Sequence, residues 1–313
     1  NTTPGFLKTA DAEISLPYSG KAIEKYDMRF YFGPNSYPTL REYGKDIELP
    51  KLVDLGWKWI AWFNRYVVIP IFNFLETNVT LNYGLIIFLL TLIIKLVLFP
   101  LTYKSYMSQA KMRVLKPQID EINKKIPADK AMERQQAVMK LYKKAGVNPM
   151  GGCLPMLLQM PILLAMFAFF PSSIELRQQP FLWADDLSSY DAIFTWDAYI
   201  PLITPYFGNH ISLFCLLMTI TNILYTKINM DSTGGGQQMP GMKLMMYLMP
   251  LMFLFIFNNY ASGLSYYYFV SLLITIIQTY IFRKCINEEK VLAKLKENQK
   301  KPRKKSGFMA RLE

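Results

Sequence analysis

The sequence predicts an all-α polytopic membrane protein. The expected parts are a five-helix transmembrane core with a hydrophilic groove, a cytoplasmic helical hairpin, an interfacial amphipathic helix and a residual β/loop segment at the N-terminus. Three observations carry this. Residues 83–103 hold one charge, and 145–174, 198–226 and 244–282 hold none, where a span needs about 20 predominantly apolar residues. The missing charge is gathered elsewhere: 104–144 and 283–313 each carry eleven Lys/Arg against four acids. Basic and non-basic loops then alternate along the chain, as the positive-inside rule requires. The 313-residue average of 52% hydrophobic residues hides this pattern, because soluble proteins reach roughly 45–50%. A soluble globular protein and a disordered chain are both excluded.

Residues 1–56 form the first segment, mixed polar, with nine Pro/Gly in the first 50 and short aromatic runs such as Arg29-Phe30-Tyr31-Phe32. That composition reads as strand and loop at the end of a soluble domain. Since the chain begins at Asn1 without a signal pattern, it reads as the C-terminal part of a longer protein.

The run over 52–76 tempts a transmembrane reading, and the helix itself is placed at 57–76. Asp54, Lys58 and Arg65 interrupt the apolar run, Pro70 breaks it, and Trp57, Trp59 and Trp62 crowd its start. Tryptophan prefers the headgroup level, so an amphipathic helix lying in the interface plane is expected.

The core, 77–283, contains spans at about 83–103, 149–171, 208–227, 243–258 and 263–282. Loop 172–199 has Arg177 against Glu175, Asp185, Asp186, Asp191 and Asp197. Counting only Lys and Arg places the N-terminal segment outside, 104–144 inside, 172–199 outside, and 228–242 and the tail inside. Within 104–144, Leu115, Ile119, Ile122 and Ile126 recur at helical spacing before the turn Pro127-Ala128-Asp129. Met132, Val138, Leu141 and Ala145 offer a weaker returning stripe, and a two-helix hairpin follows.

The tail, 284–313, contains a run of Lys300, Lys301, Arg303, Lys304 and Lys305. Such a run cannot pack a core, so disorder is expected. Basic blocks suit anionic phospholipid headgroups or RNA phosphates, which makes the run a candidate ribosome or lipid tether.

Covalent chemistry finds little support. His210 is the single histidine: a His-rich zinc site or a Ser-His-Asp triad would need it, but it sits where a span begins and reads as a polar residue at the interface. Cys153, Cys215 and Cys285 share no CxxC spacing and read as packing residues. There is no GxxxxGK for nucleotide. No enzyme activity, cofactor or metal is expected.

Lys95 is the charge inside the spans. It lies eight residues from the end of its run, roughly 12 Å deep, where a charge costs at least about 2.5–3.5 kcal/mol. No span supplies a carboxylate, so snorkelling and a wet cavity remain as sources of relief. Tyr268, Ser271, Thr275 and Gln278 recur at 3, 4, 3 on the last span, Thr91 sits one turn before Lys95, and Gln159 interrupts an apolar helix. Polar faces like these turn inward in a membrane. Together they suggest a positively charged hydrophilic groove, for polar protein segments, ions or small anions.

Several long motifs then carry a resemblance. Asn148 to Ile162 reads NPMGGCLPMLLQMPI; Phe99-Pro-Leu-Thr102 precedes Met107-x-x-Ala-Lys-Met112; Ser262 to Ser271 reads SGLSYYYFVS. From about Phe30 to Arg283 the chain resembles the YidC/Oxa-type membrane protein insertase family, most closely its Gram-negative bacterial members. The resemblance implies five core helices around a groove, a cytoplasmic hairpin and an outer interfacial helix in the bacterial inner membrane. It implies insertion of nascent membrane proteins, alone or beside the Sec translocon, with delivery by the ribosome. The groove residues it carries over are Lys95, Thr91, Gln159, Tyr267 and Tyr268. It also implies that residues 1–56 close a large periplasmic domain. The family's bacterial members usually have Arg where this chain has Lys95, which keeps the charge without the planar fork of donors. The alternative function is an ion or small-anion transporter using Lys95.

Overall fold

The computed structural model describes residues 11–18, 20, 23, 25–44, 47–127, 130–148, 154–201, 203–232 and 242–300. Residues Asn1–Pro34 form one compact unit and Asn35–Glu313 another. In the first, the Phe30 and Phe32 rings stack 6.4 Å apart, and the Tyr31 hydroxyl donates to the Pro34 carbonyl at 2.9 Å. Its described residues form no strand. The β content expected at the N-terminus lies elsewhere, in β1 (Phe194–Thr195) paired antiparallel with β2 (His210–Ile211).

The second unit opens with the short helix α1 (Tyr37–Tyr43). The segment read as interfacial follows as α2 (Lys58–Phe63), a π-turn over Asn64–Val68, and α3 (Ile69–Asn78). Pro70 does not break it. The π-turn widens the helix by one residue just before Pro70, so the missing N–H falls where the ladder is already re-registered. Ile60, Asn64, Val68, Phe72 and Leu75 are buried along one stripe, while Trp57, Trp59, Trp62 and Tyr66 are exposed on the other face. The Asn64 amide donates to the Ala165 carbonyl at 2.9 Å and the Leu55 carbonyl at 3.2 Å, anchoring the buried stripe.

The core consists of α4 (Tyr83–Val114), α7 (Leu154–Ser172), α9 (Leu213–Ser232), α10 (Met242–Phe257) and α11 (Ser262–Cys285). Three helices among the described residues are long and apolar enough to cross a membrane: Tyr83–Val114, Leu213–Met230 and Ser262–Cys285. Gln159–Ser172 and Leu244–Phe257 are shorter apolar helices. Asn82 caps α4, its side chain accepting from Gly84 N at 2.9 Å. Gly84 is required there: a Cβ would lie 2.1 Å from the Phe181 ring.

Phe181 belongs to a cap over one end of the bundle. Its ring meets Tyr266 at 5.0 Å, and Trp183 meets Phe214 at 4.4 Å. Asp191 is 2% exposed. It accepts from Trp183 Nε1 at 2.8 Å, Phe214 N at 3.0 Å and Ser212 Oγ. Ser212 accepts in turn from Cys215 N at 3.1 Å, so Ser212 and Asp191 together cap the first turn of α9. His210 is enclosed by the cap rather than open to its surroundings. It is buried, stacks on Tyr190 at 3.8 Å and pairs its Nε2 with the Asn258 carbonyl at 2.9 Å. The cap closes around it because β2 carries it inward; its position at the start of an apolar run disguised this.

At the other end, α4 runs past the predicted span to Val114, so the hairpin's first residues continue a core helix. The hairpin proper is α5 (Lys116–Lys125) and α6 (Ala131–Ala145). Leu115, Ile119, Val138 and Ala145 are buried in its core, as the stripes predict, but Met132 is 70% exposed. Tyr142 takes the inward place, and burial pushes its phenol above the ordinary value. Arg134 closes the hairpin, donating to the Asn123 and Ile126 carbonyls at 2.9 and 2.6 Å at the end of α5. Ahead of the basic run, the tail is helical over α12 (Glu288–Lys300), because Leu295 joins the hairpin core. Lys301, Arg303, Lys304 and Lys305 lie outside the described residues, as do the side chain of Lys300 and residues 149–153 of the longest motif.

Candidate functional site

The site forms where α4, α7 and α11 meet, around a charge that the sequence left without a partner. Lys95 is 7% exposed. Its ammonium donates to Thr275 Oγ1 at 2.9 Å and Gln159 Oε1 at 3.3 Å. Gln159 is fixed from its other side, donating from Nε2 to Ser271 Oγ at 3.3 Å. Thr275 donates to the Ser271 carbonyl at 2.8 Å, leaving its oxygen lone pairs for Lys95. Relief for the buried charge therefore comes from two neutral oxygens on two helices, a source beyond the snorkelling and water weighed from sequence. Neutral acceptors are weaker than carboxylates, so the cation stays uncompensated. It has three donors, and the third has no protein partner among the described residues.

Four of the candidate residues, Lys95, Gln159, Ser271 and Thr275, form one connected network. Thr91 lies on the same face of α4 but is buried and donates to its own Ile87 carbonyl at 2.7 Å. Tyr267 and Tyr268 are buried among the core apolar residues, with Tyr267 against Phe170 at 5.9 Å. Gln278 is half-buried, and its Oε1 has no hydrogen-bond partner. The α11 stripe has a gradient: Tyr267, Tyr268 and Ser271 are buried, whereas Thr275 and Gln278 are half-exposed. Within the stripe the residues nearer the hairpin end are the more exposed, although Thr279 beside them is buried.

Sequence reasoning missed a second stripe. On α9, Thr219, Asn222, Thr226 and Asn229 recur at 3, 4, 3, and α9 is the helix packed most extensively against α11. Thr219 and Asn222 are buried, and Thr226 and Asn229 are half-buried, the same gradient in the same direction. The spacing was legible, but without a charge on α9 nothing drew attention to it. On α10 the opposite holds: Leu244, Met245, Leu248, Met252 and Phe255 are exposed, an apolar surface around most of that helix. Among the described residues, no group of three or more His, Cys, Asp or Glu is placed to hold a metal ion.

The sequence and fold have known counterparts. A family model described as 60Kd inner membrane protein matches residues 74–290. The chain is similar to membrane protein insertase YidC of Parabacteroides distasonis, at 64% identity over 98% of this chain and 50% of that protein. It is similar to membrane protein insertase YidC of Bacteroides fragilis at 54% identity, over 99% of this chain and 51% of that protein. The chain thus spans about half the length of these relatives. A crystal structure of an active YidC insertase with its first transmembrane domain resolved matches with a TM-score of 0.50 and 27% identity. That match covers 79% of this chain and 54% of that one.

Proposed function

Because the chain belongs to the 60Kd inner membrane protein family, we propose that it is the core of a membrane protein insertase of the bacterial inner membrane. The N-terminal segment is periplasmic, and the hairpin and C-terminal tail are cytoplasmic. The observation that carries the reading is Lys95, a buried cation held by two neutral oxygens where two polar stripes become exposed toward the hairpin end.

The mechanism needs no covalent step. A polar, often acidic segment of a nascent membrane protein enters from the hairpin end, along the partly exposed ends of the α9 and α11 stripes. Each polar group it carries costs several kcal/mol when taken dry into hydrocarbon. Thr226, Asn229 and Gln278 replace part of its hydration on the way in. At Lys95 a carboxylate meets the third ammonium donor, and a charge-assisted hydrogen bond replaces water. The groove residues Thr91, Tyr267 and Tyr268 support the walls rather than touch the substrate. Meanwhile the apolar segment leaves sideways to lipid over exposed apolar surface such as that of α10, whose methionines adapt to varied sequences. Transfer of apolar area to lipid drives the process. The ribosome, the Sec translocon and anionic phospholipids are the partners, with Lys300, Lys301, Arg303, Lys304 and Lys305 as the tether.

Reconstitution into liposomes tests this. The protein is expected to insert a small single-span protein with an acidic translocated segment, without Sec. Lys95→Arg is expected to retain the activity and Lys95→Ala to lose most of it. Solute flux without insertion would favour the transporter reading.

A further inference from the structure

The helix α12 makes three separate contacts: with the end of α4, with the shared core of the hairpin, and with α5. At its start, Glu288 Oε1 accepts from Arg113 of α4 at 2.9 Å from Nε and 2.6 Å from Nη2. Of the three ion pairs among the described residues, the other two are exposed local i,i+3 pairs; this one spans 175 positions. In its middle, Leu295 is 2% exposed and lies in the cluster of Leu115, Ile119, Val138 and Tyr142. At its end, Gln299 donates to Gln118 of α5 at 3.3 Å. The connection to α11 is short, Ile286 and Asn287, and Asn287 caps α12 by accepting from Lys290 N at 3.0 Å.

A 13-residue helix this rich in charge is marginal alone. Its polar surface does not hold it; the hairpin does. The relation is mutual. The α5–α6 pair joins through few buried side chains, and α12 supplies one of them. The α12 helix also extends α11, which carries Ser271 and Thr275 of the Lys95 network.

We propose that α12 is an intramolecular clasp: it holds the α5–α6 hairpin at the base of α4 and α11, and its release lets the hairpin move. The hairpin is then one three-element unit rather than a free arm, with a clasped and an unclasped state. The clasp itself does not depend on the insertase reading. The step that does is its consequence, that release must precede full entry of a substrate past the hairpin.

Hydrogen exchange on the whole chain in nanodiscs tests the clasp. Leu295→Asp places a charge in the shared core, and exchange across α5 and α6 is expected to rise about tenfold or more, with α9 and α11 unchanged. Arg113→Glu alone is expected to raise it less, and Arg113→Glu with Glu288→Arg to restore it. Unchanged α5–α6 exchange in Leu295→Asp, or no rescue by the swapped pair, overturns the clasp. Gln118→Cys with Gln299→Cys, in a Cys285→Ser background, locks it by oxidation. The oxidised form is expected to insert substrate several-fold more slowly than the reduced form. If it locks the exchange pattern yet inserts at the full rate, the clasp is a static brace and the release step is wrong. If neither form nor the parent chain inserts anything, the insertase reading fails and the exchange result still decides the clasp.

Discussion

Asp191 in the cap and Lys95 in the bundle are both buried charges, and the fold treats them differently. Asp191 collects three donors, one from an indole, one from a hydroxyl and one from the first turn of α9. A carboxylate so served, at a helix N-terminus, is stabilised in place. Lys95 collects two neutral acceptors and, among the described residues, no counterion. A buried ion with weak partners is a standing cost to the fold. Natural proteins retain such costs at working sites, so Asp191 reads as structure and Lys95 as function. Removing the two charges should therefore have opposite consequences for stability and for activity.

The largest expected effect is on the structural side. Asp191→Ala removes the acceptor for Trp183, Ser212 and Phe214 N while leaving the Ser212 hydroxyl and the Phe214 N–H buried. A lost cap costs about 1 kcal/mol, and each donor stranded beside it roughly 1–3 kcal/mol. A loss of about 3 kcal/mol or more in unfolding stability is expected, with insertion falling only as folded protein is lost. Thermal unfolding in detergent measures it. A normal midpoint with lost insertion would reverse the assignment of roles.

Next comes the reciprocal change. Lys95→Met keeps the length and removes the charge. Unfolding stability is expected to hold or to rise by about 1 kcal/mol, because an uncompensated buried ion is replaced by an apolar chain. Insertion of substrates with acidic translocated segments is expected to fall about tenfold, and that of substrates with uncharged segments little, since charge complementarity mainly confers specificity. Equal loss for both classes would mean that Lys95 serves the fold and not the substrate.

The contrast also marks what the sequence could reveal. Lys95 was legible because a lone charge in an apolar run stands out by composition, and the 3, 4, 3 spacing on α11 placed its surroundings on one face. Its actual partners were not legible. Gln159 and Thr275 are 116 residues apart, and only the packing of α7 and α11 on α4 brings them to one ammonium. Asp191 was invisible for the opposite reason: among the acids of an exposed-looking loop, nothing distinguishes the one that the cap buries. Similarly, Leu295 is one of several apolar residues scattered through a basic tail. A tail's composition averages over its length, whereas burial depends on a single face, so the α12 contact could be read only from the fold.

The smallest expected effect tests how the Lys95 network is ordered. Gln159 could present either end of its amide to Lys95. Ser271 accepts from Nε2, which turns Oε1 toward the ammonium. Lys95 imposes the same choice by itself, because an amide NH2 facing a cation is repelled. The two influences agree, so deleting one should matter little. Ser271→Ala removes one neutral hydrogen bond, about 1 kcal/mol or less, and insertion of acidic-segment substrates is expected to slow about twofold. The informative comparison is a double-mutant cycle. If Ser271 acts through Gln159 on Lys95, Ser271→Ala should have no further effect in Lys95→Met, where no ammonium remains to be oriented. An equal twofold loss in both backgrounds would show that Ser271 acts on the helix packing and not on the charge.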